Sequence, residues 1–249
     1  CGMRCPFCCY AENLNQAKDM TFGEIEAIAR TIPPFRSLLV SGGEPFLRKD
    51  LAGVLDRFAA HAGIETVNIP TSGYYHDRLR EVVELFCGRW PEVLLNITVS
   101  IDGDPEWHDR QRGIPGTYER AIGAIRMLGG IQERFPRLRI RVTSVVVGKE
   151  NAGQIDRLID RLASEARIDE HGIGIARDPH VRGANHARHL PYADDFLRLV
   201  RKSSRIYNGR RAANRPKKPA LPPALMRRVT GALDLLYAET VHARVRARR

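Results

Sequence analysis

Cys1, Cys5 and Cys8 share one short loop, in the run Cys1-Gly-Met-Arg-Cys5-Pro-Phe-Cys8. Thiolates are soft ligands that suit zinc and iron–sulfur centres. A four-iron cube normally takes four cysteines. Three on one loop therefore leave one iron without a protein ligand, and an open coordination position marks a catalytic metal site. Two other uses of these thiols stay open at this level. A zinc site could recruit Cys9, although neighbouring side chains tend to point apart, and a cluster could serve only to carry electrons. The second run of interest is Ser41-Gly42-Gly43-Glu44-Pro45, expected at the carboxyl end of a strand. Two glycines let backbone approach a ligand closely, and Glu44 offers an acceptor for an ammonium group. A Gly-Gly turn is common by itself; it gains weight at the next strand end after the cysteine loop.

The elements that position these runs follow from periodicity. Strands are expected at 37–41, 65–71, 93–102, 138–147 and 172–176, separated by helices near 50–58, 75–87, 117–135 and 151–162 and closed by one near 191–207. A helix over 21–31 comes first. Strict alternation of strand and helix argues for a parallel sheet. In Leu95-Asn96-Ile97-Thr98-Val99-Ser100-Ile101-Asp102 apolar and polar residues alternate without exception. A strand covered on both faces would be apolar on both. One face here is set for helix packing and the other for a wet cavity. The expected fold is α/β: a partial (β/α)6 TIM-like barrel of parallel strands with helices outside and the site at the carboxyl ends of the strands. Its first strand would precede Cys1, and the chain, which opens on Cys rather than Met, is expected to be a piece of a longer protein.

Together the cysteine loop and the Gly-Gly-Glu-Pro turn resemble the radical S-adenosylmethionine (radical SAM) enzymes, with their CxxxCxxC and GGEP motifs, from residue 1 to about 176. The resemblance implies a [4Fe-4S] cluster on Cys1, Cys5 and Cys8, with Phe7 as the aromatic residue before the third cysteine. It implies that the methionine amino and carboxylate groups of S-adenosylmethionine chelate the open iron. It also implies that Gly42, Gly43 and Glu44 receive the amino group, with Ser41, which opens that motif, among the cofactor-binding residues. Ser100 and Asp102 look like the family's ribose-binding strand end, Arg112 like the partner of the methionine carboxylate, and Thr71 and Ser72 like the turn closing the third strand. Ile175, on the last short strand, would lie along the adenine. One electron from a low-potential donor such as a flavodoxin or ferredoxin would cleave the sulfonium, and a 5′-deoxyadenosyl radical would abstract hydrogen from a substrate. The runs 100–103 and 108–116 look most like the SPASM/twitch branch, which modifies peptides and proteins. A peptide or protein side chain is therefore the expected substrate, with a small-molecule or cofactor precursor as the alternative within enzymes. A non-catalytic iron–sulfur carrier or sensor is the alternative from another class.

The 249 residues are 43% hydrophobic and 28% charged, the balance of a globular protein. No run of about 18 apolar residues offers a membrane span, and nothing at the start looks like a signal peptide. Cysteines crowded into nine residues fit a reducing, cytoplasmic setting better than a disulfide framework. Cys87, within a helical pattern, is expected to be a buried structural thiol, and His171 to be structural. Of the net charge of +11, residues 198–249 contribute 15 Lys and Arg against two acids, and the other 197 residues sum to −2. The barrel domain is expected to span 1–207, and 208–249 a basic linker (208–223) and C-terminal helix leading toward a further domain. The tail lacks interleaved aromatics, which disfavours nucleic acid. His180, His186 and His189 lie in a loop after the last strand, where substrate contact is one reading and a second metal another.

Overall fold

The structure is a computed structural model and describes residues 1–8, 19–176 and 192–213, with side chains described as far as Tyr207. Helix α1 (Phe22–Thr31) starts at a capping box. The Thr21 hydroxyl accepts from Glu24 N at 3.3 Å, and the Glu24 carboxylate takes Thr21 N at 2.7 Å. Then follow β1 (Ser37–Leu39), α2 (Leu51–His61), β2 (Thr66–Thr71), α3 (His76–Arg89), β3 (Leu94–Ser100), α4 (Pro105–Arg112), α5 (Thr117–Gln132), β4 (Leu138–Val146), α6 (Lys149–Glu165), β5 (Glu170–Ile175) and α7 (Ala193–Ala213). The five strands are parallel and lie in chain order, and the sheet is not closed. This is the expected α/β partial barrel.

Alternation divides the sheet into two chemistries. Val67, Ile69, Leu95, Ile97, Val99, Leu138, Ile140 and Val142 are at most 1% exposed and form the core with the helices. Burying each such side chain stabilises the fold by roughly 1.5–3 kcal/mol before entropy is counted. The other face is polar, as β3 foretold. Asn96 donates to the Asn68 carboxamide oxygen at 3.0 Å, and Asn68 donates to the Ser37 hydroxyl at 3.1 Å. Arg141 meets Glu170 across β4 and β5 at 2.6 Å.

Helix α4 is an element the periodicity did not announce. It is only eight residues long and has no apolar stripe, so its signal lies in its ends. Asp104 caps it by accepting from Trp107 N at 2.9 Å, Pro105 occupies the first turn, and Gly113 closes it with φ +69°. Helix α7 runs to Ala213, six residues into the segment expected to be a linker. No proline falls before Pro216, and arginine and alanine favour helix. Residues 214–223, the helix expected beyond them and the loop with His180, His186 and His189 lie outside the described residues, as does Cys9.

One polar pair interrupts the apolar face. His171 Nε2 lies 2.8 Å from the Ser144 hydroxyl, which itself donates to the Ile101 carbonyl, and Ser203 of α7 donates to the His171 carbonyl. His171 is therefore structural, as expected. Burial pushes its pKa down to about 3. Burial, with Arg112 adding to it, lowers that of His108 to about 4. Both imidazoles are neutral in the fold and titrate near 6.5 once unfolded. Their contribution is complete above about pH 6.5 and is lost as the pH falls toward the folded values. Unfolding free energy should drop by up to about 1.4 kcal/mol per pH unit for each imidazole below that point. Denaturant titrations from pH 7 to 5 check this, and His171→Gln should remove about half of the slope; a flat profile would contradict it.

Candidate active site at the carboxyl ends of the strands

The turn after β1 is built for close approach. Gly42 has φ +138°, a conformation that side chains other than glycine rarely adopt. At Gly43 an added Cβ would stand 2.8 Å from Cys1 Cβ and 2.9 Å from Cys1 N, so this turn lies directly on the start of the cysteine loop. Glu44 is buried and its carboxylate is held by four donors. One oxygen accepts from the Thr71 hydroxyl (2.8 Å) and Phe46 N (3.4 Å), the other from Ser72 N (2.8 Å) and the Ser72 hydroxyl (2.6 Å). Thr71 and Ser72 thus turn their hydroxyls to Glu44. Tyr75 adds a contact that sequence reading missed: its hydroxyl is 3.3 Å from where a Cβ on Gly2 would stand. Burial, and after it the Glu44 charge, pushes the Tyr75 phenol up from its ordinary value.

The cysteine loop docks on the end of α4. Arg4 N donates to the Arg112 carbonyl at 2.9 Å, and Cys8 N closes a turn onto the Cys5 carbonyl at 3.1 Å. The Arg112 side chain reaches back over the loop. Its Nη1 donates to Cys5 Sγ at 3.7 Å, its Nη2 to Asp102 Oδ2 at 2.5 Å, and its guanidinium lies 6.0 Å from the Phe7 ring centre. Arg112 Nε is buried and has no hydrogen-bond partner among the described residues. Asp102 is fully buried and also accepts from Val145 N at 2.9 Å. Burial raises the Cys5 thiol, Arg112 opposes it, and Asp102 and Cys8 add to it. Asp109 ties α4 to α5 by accepting from Tyr118 N and the Thr117 hydroxyl, both at 2.8 Å.

Beside the loop lies an open cleft of about 320 Å³ lined by Pro6, Phe7, Gln111, Val147, Ala176 and Tyr192. It joins the third-cysteine end of the loop to the ends of β4 and β5. Ile175 does not line it; its side chain packs against the core, and its neighbour Ala176 faces the cleft instead. Pleating sends successive residues to opposite faces. Gln111 and Tyr192 were not found from sequence, although Gln111 sits beside Arg112 in the run already singled out. Ser41 is exposed, and Ser100 is half-buried at the end of β3, on the polar face.

The residues fit a thiolate-ligated cluster and an anionic ligand. Among the described residues no cysteine is disulfide-bonded, and no three His, Cys, Asp or Glu side chains are spaced to hold a single metal ion. Cys1, Cys5 and Cys8 are half-buried, and Cys5 takes an N–H donor of the kind that supports a ligating sulfur. The unpartnered Arg112 Nε–H is a buried donor that a carboxylate would satisfy. Cys87 is buried and burial pushes its thiol up to about 12, which makes it an inert core group.

A family model described as the radical SAM superfamily matches residues 1–162. The Fe-coproporphyrin III synthase of Methanosarcina barkeri (strain Fusaro / DSM 804) is 33% identical over 178 residues, which is 66% of this chain and 39% of that protein. A GTP 3′,8-cyclase of Mannheimia succiniciproducens is 26% identical over 174 residues, 63% of this chain and 45% of that protein. The solved structure of native anSMEcpe with bound AdoMet and Cp18Cys peptide superposes with a TM-score of 0.60 at 16% identity, covering 84% of this chain and 57% of that one. The chain therefore spans roughly 40–60% of the proteins it is compared with.

Proposed function

This chain belongs to the radical SAM superfamily, whose members are enzymes that use a [4Fe-4S] cluster and S-adenosylmethionine, and from that premise we propose that its own loop holds such a cluster and that its cleft binds the cofactor for hydrogen abstraction from a substrate. The observation that carries this reading is a convergence. The cysteine loop touches Gly43 of the Gly-Gly-Glu turn on one side and Arg112 on the other. When bound, the cluster and S-adenosylmethionine supply a carbon radical by one-electron cleavage of the sulfonium C–S bond.

The chain's residues would do the rest. Cys1, Cys5 and Cys8 would each ligate one iron. Glu44, fixed by Thr71 and Ser72, presents a rigid negative charge to the methionine ammonium, and Gly42 and Gly43 let it come close. Arg112 would meet the methionine carboxylate through the buried Nε–H that has no partner among the described residues. Phe7, Val147 and Ala176 would cover the adenosyl half, with Ser100 on the polar side of the sheet. Because Ser72 makes two of the four hydrogen bonds to Glu44, Ser72→Ala removes a charge-assisted bond worth about 1.5–3 kcal/mol. It should weaken S-adenosylmethionine binding about tenfold or more by calorimetry, and Ser72→Thr should restore most of it. Unchanged affinity in Ser72→Ala would contradict the assignment.

For the substrate, the relatives matched by sequence favour a small molecule or cofactor precursor over a peptide, since their names denote porphyrin and nucleotide chemistry. The polar face with Asn68, Asn96, Thr98 and Arg141 suits such a guest. A peptide side chain is the second reading, favoured by the runs at 100–103 and 108–116. The reductant is proposed to be a low-potential flavodoxin or ferredoxin. The protein should form 5′-deoxyadenosine when reconstituted with iron and sulfide without oxygen and given S-adenosylmethionine and dithionite. Stimulation by a cell extract that survives protease treatment of the extract would support the small molecule, and stimulation lost to protease the peptide. No 5′-deoxyadenosine under any of these conditions would reject the proposal.

A further inference from the structure

Arg112 does more than offer Nε to a ligand. Its Nη1–H points at Cys5 Sγ at 3.7 Å, and its Nη2 is committed to Asp102 at 2.5 Å. The pair is shielded from solvent: the Arg112 side chain is 12% exposed and that of Asp102 is 0% exposed. The backbone fixes the geometry: Arg4 N binds the Arg112 carbonyl, a Cβ added at Gly113 would stand 3.1 Å from Arg4 Cβ, and Asp102 is anchored by Val145 N. A cation is thus fixed in hydrogen-bond contact with one cysteine sulfur, and an anion is bound to the cation's other terminal nitrogen.

We propose that Arg112 and Asp102 form a charge pair that sets the reduction potential of the cluster carried by Cys5. The proposal rests on the cluster reading above. Hydrogen bonds to ligand sulfurs and nearby charge are the levers by which proteins tune iron–sulfur potentials. Reduction adds one electron to the cluster and moves no proton. A cation touching the sulfur favours the more negative, reduced state and raises the potential. Asp102 is bound to the guanidinium and reduces that effect. Arg112 acts through Cys5, so in this role it is a positioning residue, distinct from any contact its Nε makes with the cofactor.

The two charges demand opposite shifts, and that separates the idea from a merely structural role. The test is a dithionite redox titration of the reconstituted protein, followed by electron paramagnetic resonance in the absence of S-adenosylmethionine. Arg112→Gln should lower the midpoint so that, at a fixed potential, the ratio of reduced to oxidised cluster falls about tenfold, or about 59 mV for one electron. Asp102→Asn should raise it by a smaller amount, since the anion contacts the guanidinium rather than the sulfur, and Arg112→Lys, which keeps the charge, should stay nearer the wild-type value than Arg112→Gln. If Arg112→Gln fails to hold a cluster, Asp102→Asn still decides: a raised potential supports the pair, an unchanged one overturns it. Wild-type midpoints in cluster-bearing Arg112→Gln and Asp102→Asn overturn the proposal and leave the cluster reading intact. Failure of the wild-type protein to assemble any four-iron cluster overturns both.

Discussion

Cys5→Ala is expected to abolish cluster assembly and, with it, all 5′-deoxyadenosine formation. The loop offers three thiolates and the described residues hold no substitute near it, since Cys87 is buried in the core. Loss of one of three ligands leaves a cube with two protein anchors, and Cys5 is the one whose sulfur is also held by Arg112. Iron and sulfide analysis after anaerobic reconstitution should show the loss directly. The fold should survive, because the loop contributes only Met3 to the buried apolar set. A Cys5→Ala protein with a full complement of iron and wild-type turnover would remove the loop from the chemistry.

Gly43→Ala is expected to have the next largest effect, for a steric reason. The new methyl group would stand 2.8 Å from Cys1 Cβ and 2.9 Å from Cys1 N. Carbon contacts are comfortable at about 3.5–4.0 Å, so either the first cluster ligand or the turn must move by a substantial part of an ångström. Misplacement of about 1 Å at a reacting centre can cost 10²-fold in rate. The expectation is a fall of about that size in S-adenosylmethionine cleavage per assembled cluster. Gly129→Ala is the matched control, since nothing lies within 4 Å of its added Cβ in α5 and it should leave cleavage unchanged. Equal rates in wild type and Gly43→Ala would mean that the turn and the loop do not meet in the working enzyme.

What could be read from the sequence, and what could not, follows from the range of each signal. The strand β3 displayed its two faces because a period of two over eight residues is a local pattern, and the structure keeps it. The cysteine loop and the Gly-Gly-Glu turn were legible because each is a contiguous run with its chemistry written in it. Helix α4 was overlooked because a helix of eight polar-rich residues shows no stripe, although Asp104, Pro105 and Gly113 mark both of its ends. The cleft beside the loop is lined by Ala176 and not by its neighbour Ile175, and Gly172 and Gly174, which carry no side chain, leave the facing of β5 without a pattern in the sequence. Contacts across long stretches of chain were beyond reach. Thr71 and Ser72 support Glu44 from 27 and 28 residues away, and Arg112 meets Cys5 across 107. Only the folded sheet brings those groups to one rim.

The most direct test of the account is whether S-adenosylmethionine binds the iron that the loop leaves open. The reduced cluster of the reconstituted protein should be examined by electron–nuclear double resonance with cofactor labelled with ¹⁵N at the amino group and ¹⁷O at the carboxylate. Hyperfine coupling to both labels is the predicted result, with Ser72→Ala weakening cofactor binding and Cys5→Ala removing the signal. A four-iron cluster that is reducible and intact yet shows no coupling to either label would contradict the account and leave the chain as an electron carrier.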